Sequence, residues 1–137
     1  MAKLQLNNDN MGKDLRAGLS LYKDKFRHAE IYYHFGNSTI CFSARNQTIQ
    51  PLITTSFNPH LGFLALSIRV TKSRYEFYYQ VDRHKGWKCL GSMDSMEMTT
   101  RDFTGTVIGI FANGNEEEEQ LFVSFENFRL GNLLEAP

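Results

Sequence analysis

Apolar residues in this chain recur at every second position, and that period limits the fold more than any other feature. In "HAEIYYHF" (residues 28–35), Ala29, Ile31, Tyr33 and Phe35 share one face, while His28, Glu30, Tyr32 and His34 share the other. "LALSIRV" (64–70) repeats the arrangement, with Leu64, Leu66, Ile68 and Val70 inward and Ala65, Ser67 and Arg69 outward. "RYEFYYQV" (74–81) sets Tyr75, Phe77, Tyr79 and Val81 against Arg74, Glu76, Tyr78 and Gln80. "GTVIGIFANG" and "LFVSFENFRL" read as two further strands. No segment carries a convincing amphipathic-helix period, and no repeat of solenoid or propeller length is visible. Several short alternating strands at this spacing predict an all-β fold, an antiparallel β-sandwich or barrel.

The connections fit the same plan. "GN" at Gly36 and Asn37 predicts a turn before "STICFSA", and "DRHKG" predicts a hairpin in which Gly86 takes a positive φ before Trp87 starts the return. "NQTIQPLITTSFNPHLG" (46–62) and "SMDSMEMTTRDF" (92–103) read as long irregular connections. One domain is expected over residues 1–137, with 1–14 and 131–137 as flexible ends. Hydrophobic residues make up 42%, enough for a core without metals or staples. The two cysteines, Cys41 and Cys89, lack metal-ligand spacing and are expected to be buried free thiols. Lys and Arg total 15 against 15 Asp and Glu, so no broad field exists to recruit nucleic acid or an anionic membrane. "MAKLQLNNDN" has no apolar signal region, so a soluble, cytoplasmic chain is expected.

Four stretches, taken in order, carry a resemblance: "AGLSLYKDKFRHAEIYY" (17–33), "YEFYYQVDRHKGWKCLGS" (75–92), "DFTGTVIGIFANG" (102–114) and "FENFRL" (125–130). They resemble the C-terminal concanavalin A-like domain of family 43 glycoside hydrolases, the β-xylosidase and arabinofuranosidase group. The resemblance implies a jelly-roll sandwich, here N-terminally shortened, because the family has a longer run before its "AGL" strand. Strands absent from a sandwich leave unpaired edges, so a homo-oligomer or a partner chain covering the open edge is expected. The family's catalytic propeller has no counterpart in the sequence. The resemblance also implies that Phe103, in "RDFTG", leans toward such a propeller and helps close its pocket, here only in trans; the alternative is an anchor packed under its own loop.

The sequence offers no catalytic constellation. Glycoside hydrolysis needs two carboxyl groups roughly 5–9.5 Å apart, and the strand carboxylates Glu30, Glu76 and Glu126 have no spacing that enforces this. His28 and His34 are roughly 20 Å apart along one strand, too far to share a metal. The "EEEE" run at 116–119 reads as a solvated turn. No cofactor or metal is expected. Sugar recognition fits better, since it combines a flat aromatic with planar hydrogen-bonding groups. Glu30, Tyr32, His34, Arg69, Glu76, Tyr78 and Gln80 are the candidates. Tyr32 or Tyr78 would stack on the sugar, and Arg69, Glu76 and Gln80 would bind hydroxyls. The ligand class implied by the resemblance is a plant-type oligosaccharide of xylan or arabinan type. The alternative is a structural or interaction module that self-associates or docks on a glycoside hydrolase.

Overall fold

The computed structural model describes residues 1–5, 12–46, 48–49, 52–57, 63–82, 84–95, 106–114, 123–126 and 128–131. Its strands are β1 (Ala2–Gln5), β2 (Leu15–Asp24), β3 (Arg27–His34), β4 (Thr39–Asn46), β5 (Thr48–Ile49), β6 (Ile53–Ser56), β7 (Phe63–Val70), β8 (Arg74–Gln80), β9 (Lys88–Asp94), β10 (Val107–Gly114) and β11 (Phe125–Glu126). They form two antiparallel sheets. One has five strands in the order β11-β1-β7-β8-β9; the other has six, β10-β2-β3-β4-β5, with β6 also paired to β4. The all-β sandwich read from the two-residue period is the observed fold.

The sheets meet through the faces that alternation marks as apolar. Leu15, Ala17, Leu19 and Leu21 of β2, with Ala29, Ile31 and Tyr33 of β3, are buried against Leu4, Leu64, Leu66 and Phe77 of the opposite sheet. Aromatic rings fill the middle. Tyr33 meets Phe35 edge-on at 4.8 Å and Phe57 at 5.5 Å, and Phe42 of β4 lies 4.8 Å from Phe77 of β8. Edge-on and tilted contacts are the favoured geometries for ring quadrupoles.

Several local expectations change. Residues 1–14 were expected to be flexible, but Ala2 and Leu4 are buried and β1 lies between β11 and β7. The stretch 46–62 is not wholly irregular, since β5 and β6 pair with β4. Gly86 does not take a positive φ. Its hairpin is held by Asp82, whose carbonyl accepts from Lys85 N at 2.9 Å and whose carboxylate accepts from His84 N at 2.9 Å. In the other turn the left-handed residue is Ser38 (φ 54°), not Gly36 or Asn37. Cys41 is buried but Cys89 is exposed, because β9 borders its sheet. Val70, expected inward, is exposed at the end of β7, where the core runs out.

Candidate functional site

The seven sugar-site candidates do not form one surface. Glu30, Tyr32 and His34 lie on β3 in the six-stranded sheet; Arg69, Glu76, Tyr78 and Gln80 lie on β7 and β8 in the five-stranded sheet. Each set points away from the shared core, so the two occupy opposite outer faces of the sandwich. Stacked sheets are about 10 Å apart, and outward carboxylates are farther apart still. Glu30 and Glu76 therefore cannot flank one glycosidic bond.

On the five-stranded sheet, register places Arg69 opposite Glu76 and Ser67 opposite Tyr78. The Arg69 guanidinium lies over the Tyr78 ring, 4.1 Å from its centre. A cation on the ring is favourable, but it covers one of the faces a sugar would use. Gln80 donates its side-chain N–H to Lys85 O at 2.8 Å, so this amide clasps the β8–β9 hairpin. Arg74 donates to the Ser92 hydroxyl across β8 and β9. This face is largely occupied with holding itself together.

The six-stranded face is organised in rows across the strands. One row runs Val107, Tyr22, His28, Arg45; the next runs Gly109, Ser20, Glu30, Ser43; the third runs Phe111, Gly18, Tyr32, Cys41. The middle row is built of small residues around Glu30, so it forms the floor between two larger rows. His28 Nδ1 lies 2.7 Å from Glu30 Oε1, and the Ser20 hydroxyl also reaches this carboxylate. Burial raises the Glu30 pKa above its ordinary value, while His28 and Ser20 pull it back. Tyr22, 46% exposed, stacks on the His28 imidazole with ring centres 6.1 Å apart. Phe26, in the β2–β3 turn, is exposed and carries the Arg45 guanidinium 5.7 Å from its ring centre.

Tyr32 is too buried, at 7% exposure, to serve as a stacking platform. It lies beside Gly18, where an added Cβ would collide with Ile31 O and with Tyr32 Cα at 2.6 Å. Phe111 meets its ring edge-on at 6.1 Å, and Arg16 covers it at 5.8 Å. Burial raises the Tyr32 phenol pKa, and the neighbouring Cys41 thiol adds to that rise. His34 is also committed: Nε2 lies 3.5 Å from Asp14 Oδ1, and Nδ1 accepts from Asn37 N at 3.3 Å. It fastens the β3–β4 turn. Phe103 and the acidic run 116–119 lie outside the described residues.

Tyr22, His28 and Arg45 are absent from the sequence-derived set. A signal for His28 was present, because a residue two positions from Glu30 on one strand shares its face about 7 Å away. Tyr22 and Arg45 come alongside only through the β2–β3–β4 register. Among the described residues no cluster of three or more metal-binding side chains occurs.

The profile of the family described as "Beta xylosidase C-terminal Concanavalin A-like domain" matches residues 1–130. The chain belongs to this family. Solved structures agree on the fold of this C-terminal domain. The GH43 protein BlXynB from Bacillus licheniformis superposes with a TM-score of 0.71 at 22% identity, over 86% of this chain and 24% of that one. A single-site variant of BlXynB gives 0.75 at 22% identity, over 90% and 25%. "Bacteroides ovatus Xyloglucan PUL GH43B" gives 0.67 at 20% identity, over 83% and 23%. The chain thus spans about a quarter of the length of these relatives. A comparison with curated proteins gave no match.

Proposed function

We propose that this chain is a non-catalytic accessory domain that recognises carbohydrate through the outer face of its six-stranded sheet. One observation carries the reading. The exposed Tyr22 ring stands beside a half-buried carboxylate and imidazole, Glu30 and His28, 2.7 Å apart above a floor of small residues. The Tyr22 face turned away from His28 suits the apolar C–H face of a pyranose, and the planar pair suits adjacent hydroxyls. Keeping a carboxylate partly desolvated costs free energy, and a ligand hydroxyl donating to it would offset that cost. Membership of a family described by β-xylosidase, and likeness to a Bacteroides ovatus protein named for xyloglucan, support a plant-type oligosaccharide, for which we take the xylan or arabinan class. Hydrolysis is not proposed, because the strand carboxylates Glu30 and Glu76 lie on opposite faces and Glu126 pairs with Lys3 at 4.0 Å.

The test is calorimetric titration of the chain with xylo- and arabino-oligosaccharides, repeated on two variants. Tyr22→Ala with Glu30→Gln should abolish the binding heat. Arg69→Ala with Tyr78→Phe, on the opposite face, should leave it unchanged. Loss of heat only in the second variant would move the site to the five-stranded sheet. No saturable heat with any of these sugars would end the carbohydrate reading.

A further inference from the structure

Among the described residues, the four sheet borders are not alike. β9 carries Lys88 and Asp94 and faces a register irregularity at Phe77 and Tyr78. β11 and β5 are two residues each. β10 is different: eight residues, "VIGIFANG", paired with β2 along their whole length without a register shift, and no charge anywhere. No other described strand lies along its far side. Val107 is 63% exposed and Ile110 is 47% exposed. Natural sheet borders are guarded by charge, proline, bulges or brevity, and a long, flat, apolar edge is a template for another strand.

The occupant follows from the chemistry of that edge. It must be a strand that needs no charged partner and offers apolar side chains on both faces. β10 of a second copy meets both conditions. We propose that β10 is a homodimerisation edge, where two copies pair antiparallel about Gly109 and join their six-stranded sheets into one. An axis at Gly109 places Val107 of one copy against Phe111 of the other and Ile108 against Ile110. An axis one residue later would set Val107 against Asn113, leaving the strand's most exposed large apolar residue on a polar neighbour. Glycine also suits the axis, since nothing lies within 4 Å of a Cβ added there and two copies must meet at that point. A single strand pair with a few side chains makes a small interface, so association in the micromolar range is expected. Val107 is in register with Tyr22, so the joined sheet would present both copies' Tyr22 on one face.

The test needs no sugar and is therefore independent of the function proposed above. Mass is measured by sedimentation at tens of micromolar for the native chain and for Val107→Lys with Ile110→Lys. Both sites are exposed, and circular dichroism checks that the variant keeps its sheets. The native chain should be a dimer, and the lysines should raise its dissociation constant at least about tenfold. A second measurement fixes the register in a Cys89→Ser background. Facing residues of an antiparallel pair are about 4.5–5.5 Å apart, within disulfide reach, so Gly109→Cys should form a covalent dimer on mild oxidation. Asn113→Cys should not, because eight strand steps separate the two copies by about 27 Å. A native monomer at these concentrations, a dimer indifferent to the lysines, or cross-linking at 113 equal to that at 109 would each overturn the proposal.

Discussion

Dividing the polar side chains between two opposite faces requires that the sheets pack as described, and Phe42 and Phe77 test that directly. Phe42 belongs to the six-stranded sheet and Phe77 to the five-stranded one; both are buried, with ring centres 4.8 Å apart. Removing a fully buried phenylalanine ring costs about 3–5 kcal/mol, transfer and cavity together. Phe77→Ala should therefore lower the urea midpoint by roughly 2 M, taking a slope of about 2 kcal/mol per molar. Two such changes would consume most of the ~5–15 kcal/mol that holds a domain together. The coupling is better read from Phe42→Leu, Phe77→Leu and the double variant, which shrink the core without emptying it. Rings in contact should show a coupling of about 0.5–1.5 kcal/mol in equilibrium urea unfolding. Additivity within about 0.3 kcal/mol would mean that the rings do not touch. The apolar faces of β4 and β8 would then not oppose one another, and the placement of Glu30 and Tyr78 on opposite surfaces would fall with them.

Glu30→Gln tests the charge at the candidate site. Burial raises the folded-state pKa of Glu30, so the folded chain holds its proton to higher pH than the unfolded chain does. Stability contributed by this group is present below the ordinary carboxylate range and is lost as pH rises through the folded value. The variant should accordingly gain on the native chain as pH rises from 4 to 7, by about 1 kcal/mol or less; thermal melts that show the opposite trend would refute a desolvated Glu30. Gly18→Ala tests the packing of Tyr32. The colliding atoms include backbone of β3, which cannot rotate away, so a loss of about 1–3 kcal/mol is expected. An unchanged melting temperature would show that β2 and β3 can separate there at no cost.

What the sequence could and could not convey follows from the range of each interaction. Alternation along a strand is local, and it correctly assigned Ala29, Ile31, Tyr33, Leu64, Leu66 and Phe77 to the interior. It also expected Ala65 and Ser67 to face out, yet both are buried, because β7 is an inner strand and small residues there lie below their cross-strand neighbours Gln80 and Tyr78. Tyr32 is buried for the complementary reason: Gly18, its register partner, leaves a gap that the phenol ring lies across. Exposure on the outer face of a sheet depends on the size of residues from other strands, and their identity is set by pairing.

Pairing also decided which polar residues could act together. Glu30 and Glu76 carry the same local signal, an acid two residues before a tyrosine, Tyr32 and Tyr78, on a strand's wet face. Nothing within either segment tells that β3 joins β2 and β4 while β8 joins β7 and β9. Tyr78 and Gln80 looked like binding groups because the strand alone leaves them unengaged; in the fold Arg69 covers one and the β8–β9 hairpin takes the other. Tyr22 looked unremarkable because its value comes from His28 beside it, on a strand that returns only after a bulge between Tyr22 and Asp24. A side chain's chemistry can thus be read from its own segment, while its availability is fixed by strands distant in sequence. The exposed Tyr22 ring and the half-buried Glu30–His28 pair meet both conditions on one surface. The Arg69–Tyr78 pair meets the first, but its ring carries the guanidinium and is less exposed than Tyr22.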